Sequence, residues 1–267
     1  MLKKRRHYRE KRKRLEHHLK EVEERDRMLI KDRSSERAVL EEVFDQSTLM
    51  TIYDFLNKGI IESIFGVVNA GKEARVYWGK DSDGDELAIK IYLTVSAEFK
   101  KGMLSYIEGD PRFARVKRDT RSLIYTWAQK EFKNLQRANE VSVRVPKPIA
   151  VNHNVLIMEF IGKEGVSAPL LKESFPRKPE KLYQQLLACV EKLYQKAELV
   201  HADLSEYNVM LWKNKPVLFD FAQAVHVKHP MASRFLRRDL ENLFQYFHNL
   251  EVNVLSIDEM YRRVVSG

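Results

Sequence analysis

Cysteine is almost missing. Cys189 is the only one in 267 residues, which excludes an internal disulfide and a cysteine-rich zinc site and makes the reducing cytoplasm the expected setting. Glycine (10) and proline (8) are sparse, so no long flexible tether or low-complexity linker separates the segments. No apolar run approaches the roughly eighteen residues that cross a bilayer. Met1 through Arg14 is basic, with no apolar stretch behind it of the kind a secretory leader carries. Membrane insertion and export are therefore not expected. What is present, 44% hydrophobic and 32% charged residues, suffices for one sizeable core or for two small lobes sharing a cleft. No feature specifies an oligomeric state.

The formal net charge of +9 is unevenly spread. Residues 1–37 hold 15 Lys/Arg against 8 Asp/Glu, whereas the rest of the chain holds 32 against 30. This basic arm can neutralise RNA phosphates without reading bases, or it can be a solvated tail.

Hydrophobic periodicity divides the remainder. Residues 38–58 have helical spacing and end at Lys58-Gly59, a helical lead-in over 38–59. Three strand patterns follow, Ile60 to Val68, Ala74 to Trp78 and Leu87 to Tyr92, joined at Asn69-Ala70-Gly71 and at Asp81 to Asp85. Residues 93–118 are mixed in charge and show no period, which predicts an exposed, mobile connection. A helix is expected from about Asp119 to Ala138, and a hairpin from Val145 to Phe160. After Pro179 the stripe Leu182, Leu186, Val190, Leu193 demands burial, and it includes Cys189, which is read as a packing residue. Strands precede helices, so the class is α+β with a sheet lobe at 60–160 and a helical lobe at 161–267.

The stretch His201-Ala202-Asp203-Leu204-Ser205-Glu206-Tyr207-Asn208 carries the most chemistry. A kinase catalytic loop needs an Asp to orient the acceptor hydroxyl and an Asn five residues later to hold Mg²⁺, since both oxygens face one phosphoryl group. Asp203 and Asn208 have that spacing, and Asp220 follows twelve residues on at the end of an apolar strand, where a second metal ligand belongs. Mg²⁺ takes few protein oxygens, so one Asn and one Asp suffice. Gly66 to Lys72 imitates a P-loop, but Glu73 stands where a hydroxyl is required, and a strand follows where a helix should begin. A strand, glycine turn and strand is instead how a kinase covers the triphosphate, although any hairpin has the same form.

Lys90 interrupts the apolar strand Leu87 to Tyr92, either as an edge charge or as a placed cation. In the next helix Ile124, Ala128, Glu131 and Leu135 share one face, so Glu131 carries a charge into an apolar stripe and requires a partner unless it sits at the solvated border. Lys90 is the natural partner. Met158-Glu159-Phe160-Ile161 ends the sheet lobe where a kinase hinge would bind adenine, or is an ordinary buried strand end. His201 is expected to brace the loop.

His201 to Asn208, Gly71-Lys72-Glu73-Ala74 before Val76-Tyr77, and Tyr106-Ile107-Glu108-Gly109-Asp110-Pro111-Arg112-Phe113 together resemble the RIO family of atypical protein kinases, the last motif its first subfamily. The resemblance runs over roughly residues 48–245. It implies a trimmed kinase fold without activation segment or peptide-binding helices, in keeping with the absence of an Ala-Pro-Glu segment among the 47 residues after Asp220. Carried over by position, it makes Asp203 the catalytic Asp, Asn208 and Asp220 the metal ligands, and Lys90 with Glu131 the phosphate-positioning pair. Nucleotide contacts would fall at Val68, Gly71, Lys72, Glu73, Ala74, Val76, Met158, Glu159, Ile161 and Glu206. The cofactors implied are ATP and Mg²⁺, with Mn²⁺ as a substitute. The resemblance further implies autophosphorylation, an aspartyl-phosphate on Asp220 in an ATPase cycle, and work on precursors of the small ribosomal subunit, an RNA-rich neighbour for the basic arm. Thr94, Ser96 and Ser105 are reachable autophosphorylation candidates.

There are departures from the pattern. Asn69-Ala70 stands where the family has Ser-Thr, Phe221-Ala222 follows Asp220 where ordinary kinases have Phe-Gly, and Ser205 takes the place of a lysine beside the catalytic Asp. The last removes a positive charge from the transferring phosphoryl and predicts slow turnover. Two other functions remain open on sequence: a small-molecule phosphotransferase, and an ATP-gated assembly factor with little activity on other proteins.

Overall fold

The computed structural model describes residues 44–93, 97–113, 117 and 119–266. The basic arm (1–37), residues 38–43 of the lead-in, and Thr94 and Ser96 lie outside the described residues. Helix α1 (Gln46–Asn57) starts where the Asp45 carboxylate accepts the Thr48 N–H at 2.8 Å, meeting one of the donors a helix start leaves without a partner. It stops at Lys58, and Gly59 follows with φ +67°, a conformation glycine adopts without a Cβ clash. Its buried face, Leu49, Ile52 and Phe55, packs with Ile61, which precedes the sheet, and with Tyr77, Leu87, Ile89, Ile91, Val155 and Ile157 of the sheet.

That sheet contains β1 (Ser63–Ala70), β2 (Ala74–Lys80), β3 (Glu86–Tyr92), β4 (Pro148–Asn152) and β5 (Val155–Glu159) in the order β1-β2-β3-β5-β4, every neighbouring pair antiparallel. β3 is the middle strand, with Lys90 opposite Val76 on one side and Leu156 on the other. An edge-charge explanation of Lys90 is thereby removed. Side chains alternate along a strand, so Leu87, Ile89 and Ile91 face α1 while Ala88, Lys90 and Tyr92 face the opposite layer.

The segment 93–118, which reads in sequence as an unpatterned connection, corrects that expectation by containing helix α2 (Ala97–Ile107) and a 3₁₀ turn at Pro111–Phe113. Met103 and Ile107, four residues apart, bury themselves against Leu123, Ile124 and Trp127. Those residues belong to α3 (Thr120–Glu140), whose start is capped by the Asp119 carboxylate accepting the Ser122 N–H at 2.9 Å. The Tyr106 ring stacks on Phe235 with centroids 5.1 Å apart. Charges between the apolar positions hide this helix from a periodicity search.

The helical lobe begins with a short hairpin, β6 (Gly162–Lys163) and β7 (Val166–Ser167), and continues with α4 (Pro179–Gln195). The stripe Leu182, Leu186, Val190 and Leu193 on α4 is buried as its spacing requires, and Cys189 is half-buried, its thiol pushed up to about 11 by burial. Four short strands follow, β8 (Leu199–Val200), β9 (Val209–Trp212), β10 (Lys215–Leu218) and β11 (Val225–His226), with β9 paired to β10 and β8 to β11. Helices α5 (Ala232–His248) and α6 (Ile257–Val265) complete the described chain. One continuous core joins Ala88, Met158 and Phe160 of the sheet lobe to Leu218, Phe221 and Leu240 of the helical lobe. Among the described residues no helix is long and apolar enough to cross a membrane.

Candidate active site

Lys90 is the centre of the site. Its Nζ lies 2.9 Å from both Glu131 oxygens and 3.0 Å from Asp220 Oδ1, and the Tyr92 hydroxyl donates to Glu131 Oε2. Glu131, on α3, is 1% exposed, so it is not a solvated border residue. Burial alone would lower the Lys90 pKa, but the Asp220 and Glu131 carboxylates outweigh it and hold the ammonium well above the ordinary lysine value. Lys90 therefore stays charged. Burial raises the Glu131 carboxyl, against the pull of that ammonium.

Asp220 follows β10 with φ +61°, in the left-handed region that a residue with a side chain occupies at a cost. Its side chain keeps 41% exposure, open to a ligand. Loss of solvent on one side would raise its pKa, yet Lys90, through its charge and its hydrogen bond, reverses this and holds the carboxyl below the usual range. The ionised carboxylate is the form a hard cation needs.

The loop from His201 to Asn208 lies beside Asp220. Asn208 turns its Nδ2 to the Asp203 carbonyl (2.8 Å) and to Asp203 Oδ2 (3.0 Å), which aims the amide oxygen away from Asp203. Phe219 N–H donates to the Asn208 carbonyl at 3.1 Å, tying the loop to the residue before Asp220. Burial, and then repulsion from Asp220, raise the Asp203 pKa against Arg238 and the Asn208 amide. His201 donates Nε2–H to the Phe219 carbonyl at 3.1 Å and packs edge-on against Phe221 at 4.6 Å. Burial lowers its pKa to about 4, so it is a neutral brace.

Among the described residues no three His, Cys, Asp or Glu side chains are arranged to hold a metal by themselves. Two hard oxygens, on Asn208 and Asp220, suit Mg²⁺ whose remaining ligands are phosphate oxygens and water, and do not suit a self-sufficient zinc centre. The residues present fit the ion.

Over this floor lies the β1–β2 turn. Gly71 donates its N–H to the Ala74 carbonyl at 3.0 Å, and a Cβ at Gly71 would stand 3.3 Å from that oxygen, which makes the turn tight. Lys72 and Glu73 are exposed at its tip. Desolvation and then the Asp220 and Asp203 charges raise the Glu73 carboxyl, with Lys90 opposing, so Glu73 senses the floor of the cleft. Val68 and Val76 pack on the core shared with Ala88 and Met158. The Glu159 carboxylate is held by Arg144 at 2.7 Å, and the Ile161 carbonyl accepts the Ala168 N–H at 2.8 Å. Glu206 is half-buried two residues before Asn208. Ser105 is exposed on α2.

Several participants are invisible to motif spacing. Gln223 Nε2 donates to Asp203 Oδ2 at 3.2 Å. Asp239, 1% exposed, accepts the Ala202 N–H at 2.8 Å and the Leu204 N–H at 2.9 Å, and Ala202 needs such help because its φ is +64°. Burial pushes the Asp239 carboxyl up to about 7. Asp239→Ala leaves two buried N–H groups without their acceptor, at about 1–3 kcal/mol each. We expect a lower denaturant midpoint, and an unchanged one would mean that this carboxylate does not hold the loop.

A family profile for the RIO domain matches residues 75–260, most of the described chain. The chain belongs to the RIO kinase family. This RIO-family chain is 38% identical over 255 residues to "Serine/threonine-protein kinase RIO1" of Caenorhabditis elegans, covering 94% of this chain and 50% of the relative. It is 38% identical over 234 residues to "RIO-type serine/threonine-protein kinase Rio1" of Methanocaldococcus jannaschii (88% and 78%), and 39% over 245 residues to human "Serine/threonine-protein kinase RIO1" (90% and 43%). The chain thus spans half or less of the two animal relatives and about three quarters of the archaeal one. These relatives place the RIO domain in the first, type I, branch. A crystal structure of the Chaetomium thermophilum Rio2 kinase in an ADP/Mg²⁺–phosphoaspartate complex superposes with a TM-score of 0.61 at 20% identity, over 81% of this chain and 66% of that one, a likeness of fold.

Proposed function

We propose that this RIO-type kinase is an ATP- and Mg²⁺-dependent serine/threonine protein kinase that also hydrolyses ATP, autophosphorylates and acts on small-ribosomal-subunit precursors in the cytoplasm. The observation that carries the proposal is the convergence on one point of Lys90, Glu131 and Asp220, side chains from a strand, a helix and a turn far apart in sequence, within 3.0 Å of Lys90 Nζ. Lys90 positions the phosphates, Glu131 fixes Lys90, and Asn208 with Asp220 would hold Mg²⁺ or a substituting Mn²⁺. Bound there, the ion supplies neutralising charge to the phosphate oxygens. Asp203 accepts the proton of the acceptor hydroxyl. Asp220 is also the residue on which an aspartyl-phosphate would form, by analogy with the phosphoaspartate of the Rio2 complex. Val68, Val76, Met158 and Ile161 would line the adenine side, Gly71 to Ala74 the phosphate side, with Glu159 and Glu206 at the margins.

The test is transfer of γ-labelled phosphate from ATP to the chain itself and to ribosomal-precursor proteins, run beside free hydroxylated metabolites. Label on protein is the expected result. Label on metabolites alone would replace this reading with a small-molecule phosphotransferase. Because Ser205 supplies no cation beside Asp203, we expect steady-state turnover below the roughly 1–100 s⁻¹ of ordinary kinases. A rate inside that range would remove the argument from Ser205.

A further inference from the structure

The turn after Asp220 is gripped by side chains from a distant part of the chain. Asn134, fully buried, donates Nδ2 to the Phe221 and Ala224 carbonyls, both at 2.9 Å. Lys130, also fully buried, donates Nζ to the Ala222 carbonyl at 2.9 Å and to that of Ala224. Both project from α3 four residues apart, on one face of the helix. The next residue after Lys130 is Glu131, which holds Lys90. One helix therefore fixes the phosphate-positioning lysine with one side chain and the backbone after the metal-binding carboxylate with two others.

The Asn134 amide is itself oriented from behind. Its oxygen accepts Arg112 Nη1 at 2.7 Å, and Asp110 grips Arg112 through Nε to Oδ1 (2.9 Å) and Nη2 to Oδ2 (2.7 Å). Asp110 is 1% exposed and also accepts the His226 N–H at 3.4 Å, on the far side of the turn. A charged pair in the β3–α3 connection, a buried amide and the carbonyls that follow Asp220 thus form one hydrogen-bonded chain. A buried network with its donors and acceptors matched is stiff and specifies one arrangement. Asp220 needs that stiffness, because a non-glycine residue at φ +61° holds its conformation only where its surroundings over-determine it.

We propose that Lys130 and Asn134, with Asp110 and Arg112 behind them, are positioning residues that set the aim of the Asp220 carboxylate at the metal. This rests on the reading of Asn208 and Asp220 as the metal ligands. Groups that orient a metal ligand from outside the ligand set change metal affinity by about 10–100-fold when removed.

The test uses the full chain and three variants, Asn134→Leu, Lys130→Met and Arg112→Gln, with two titrations on each. A fluorescent ATP analogue is titrated in EDTA, and Mg²⁺ is then titrated at fixed nucleotide. We expect nucleotide affinity in EDTA to stay within about twofold of the parent, while the Mg²⁺ midpoint rises about 10–100-fold in Asn134→Leu and Lys130→Met. Arg112→Gln should move it less but in the same direction. A purely structural role would weaken both titrations together or lower the folded fraction without moving the midpoint. If the buried variants do not fold, the partly exposed Arg112→Gln decides: a raised Mg²⁺ midpoint supports the proposal and the parental midpoint overturns it. A parent chain that binds Mg²⁺·nucleotide beside variants with its midpoint overturns this inference alone. A parent chain that binds none overturns the enzyme reading and this inference with it.

Discussion

Asp203→Ala is expected to lower phosphoryl transfer by about 10²–10⁴-fold, the range a positioned general base supplies, while nucleotide binding persists. The geometry separates the two properties. Asp203 Oδ2 is held by Asn208 and Gln223, not by Lys90, and the contacts that fix Lys90 run through Glu131 and Asp220. Removing the Asp203 carboxylate therefore leaves the Lys90 contacts intact, takes from the Asn208 amide one of its two anchors while its bond to the Asp203 carbonyl remains, and removes the group proposed to face the acceptor hydroxyl. Transfer of label from ATP and titration of a fluorescent nucleotide measure the two effects independently. Undiminished transfer would remove Asp203 from the chemistry, and lost binding would mean that its carboxylate props the metal site.

The sequence made the Lys90–Glu131 pair legible because each residue breaks a local rule. A lysine inside an apolar strand and a glutamate inside an apolar helical stripe both call for a buried partner of opposite charge, and each is the other's nearest solution. The helices α3 and α4 and the individual strands of the sheet were legible for the same reason, since burial of one face imposes a period. Helix α2 was not. It is 11 residues long, too short to be stable alone, and its buried face depends on α3 and on Phe235, far away in sequence. Lys130 and Asn134 were hidden for a related reason. Their partners are backbone carbonyls at 221–224, and a carbonyl has no residue identity for a motif search to find. A lysine and an asparagine four apart on the face of a helix look like a solvated surface until the turn that they grip is in place.

Lys90→Met is expected to be destabilising as well as inactive, and the two losses should come apart in a second variant. The ammonium meets both Glu131 oxygens at 2.9 Å, and Glu131 is 1% exposed, so its loss leaves a buried carboxylate with the Tyr92 hydroxyl but no cation. Stranding one member of a buried ion pair costs about 3–5 kcal/mol, a large part of the roughly 5–15 kcal/mol by which domains are stable. A guanidinium-chloride midpoint measures that loss. In Lys90→Met/Glu131→Gln neither charge remains and the side-chain volumes are nearly kept, so most of the lost stability should return. Phosphoryl transfer should not return, because the double variant has no cation at position 90 to meet the phosphates, and a preorganised electrostatic contact of this kind is worth about 10²–10³ in rate. If the double variant melted as early as the single one, the uncompensated Glu131 charge would not be the source of the instability. If it transferred phosphate at the parental rate, Lys90 would be a structural counter-ion to Glu131, and the charge that steadies the triphosphate would have to come from the exposed Lys72 on the turn above.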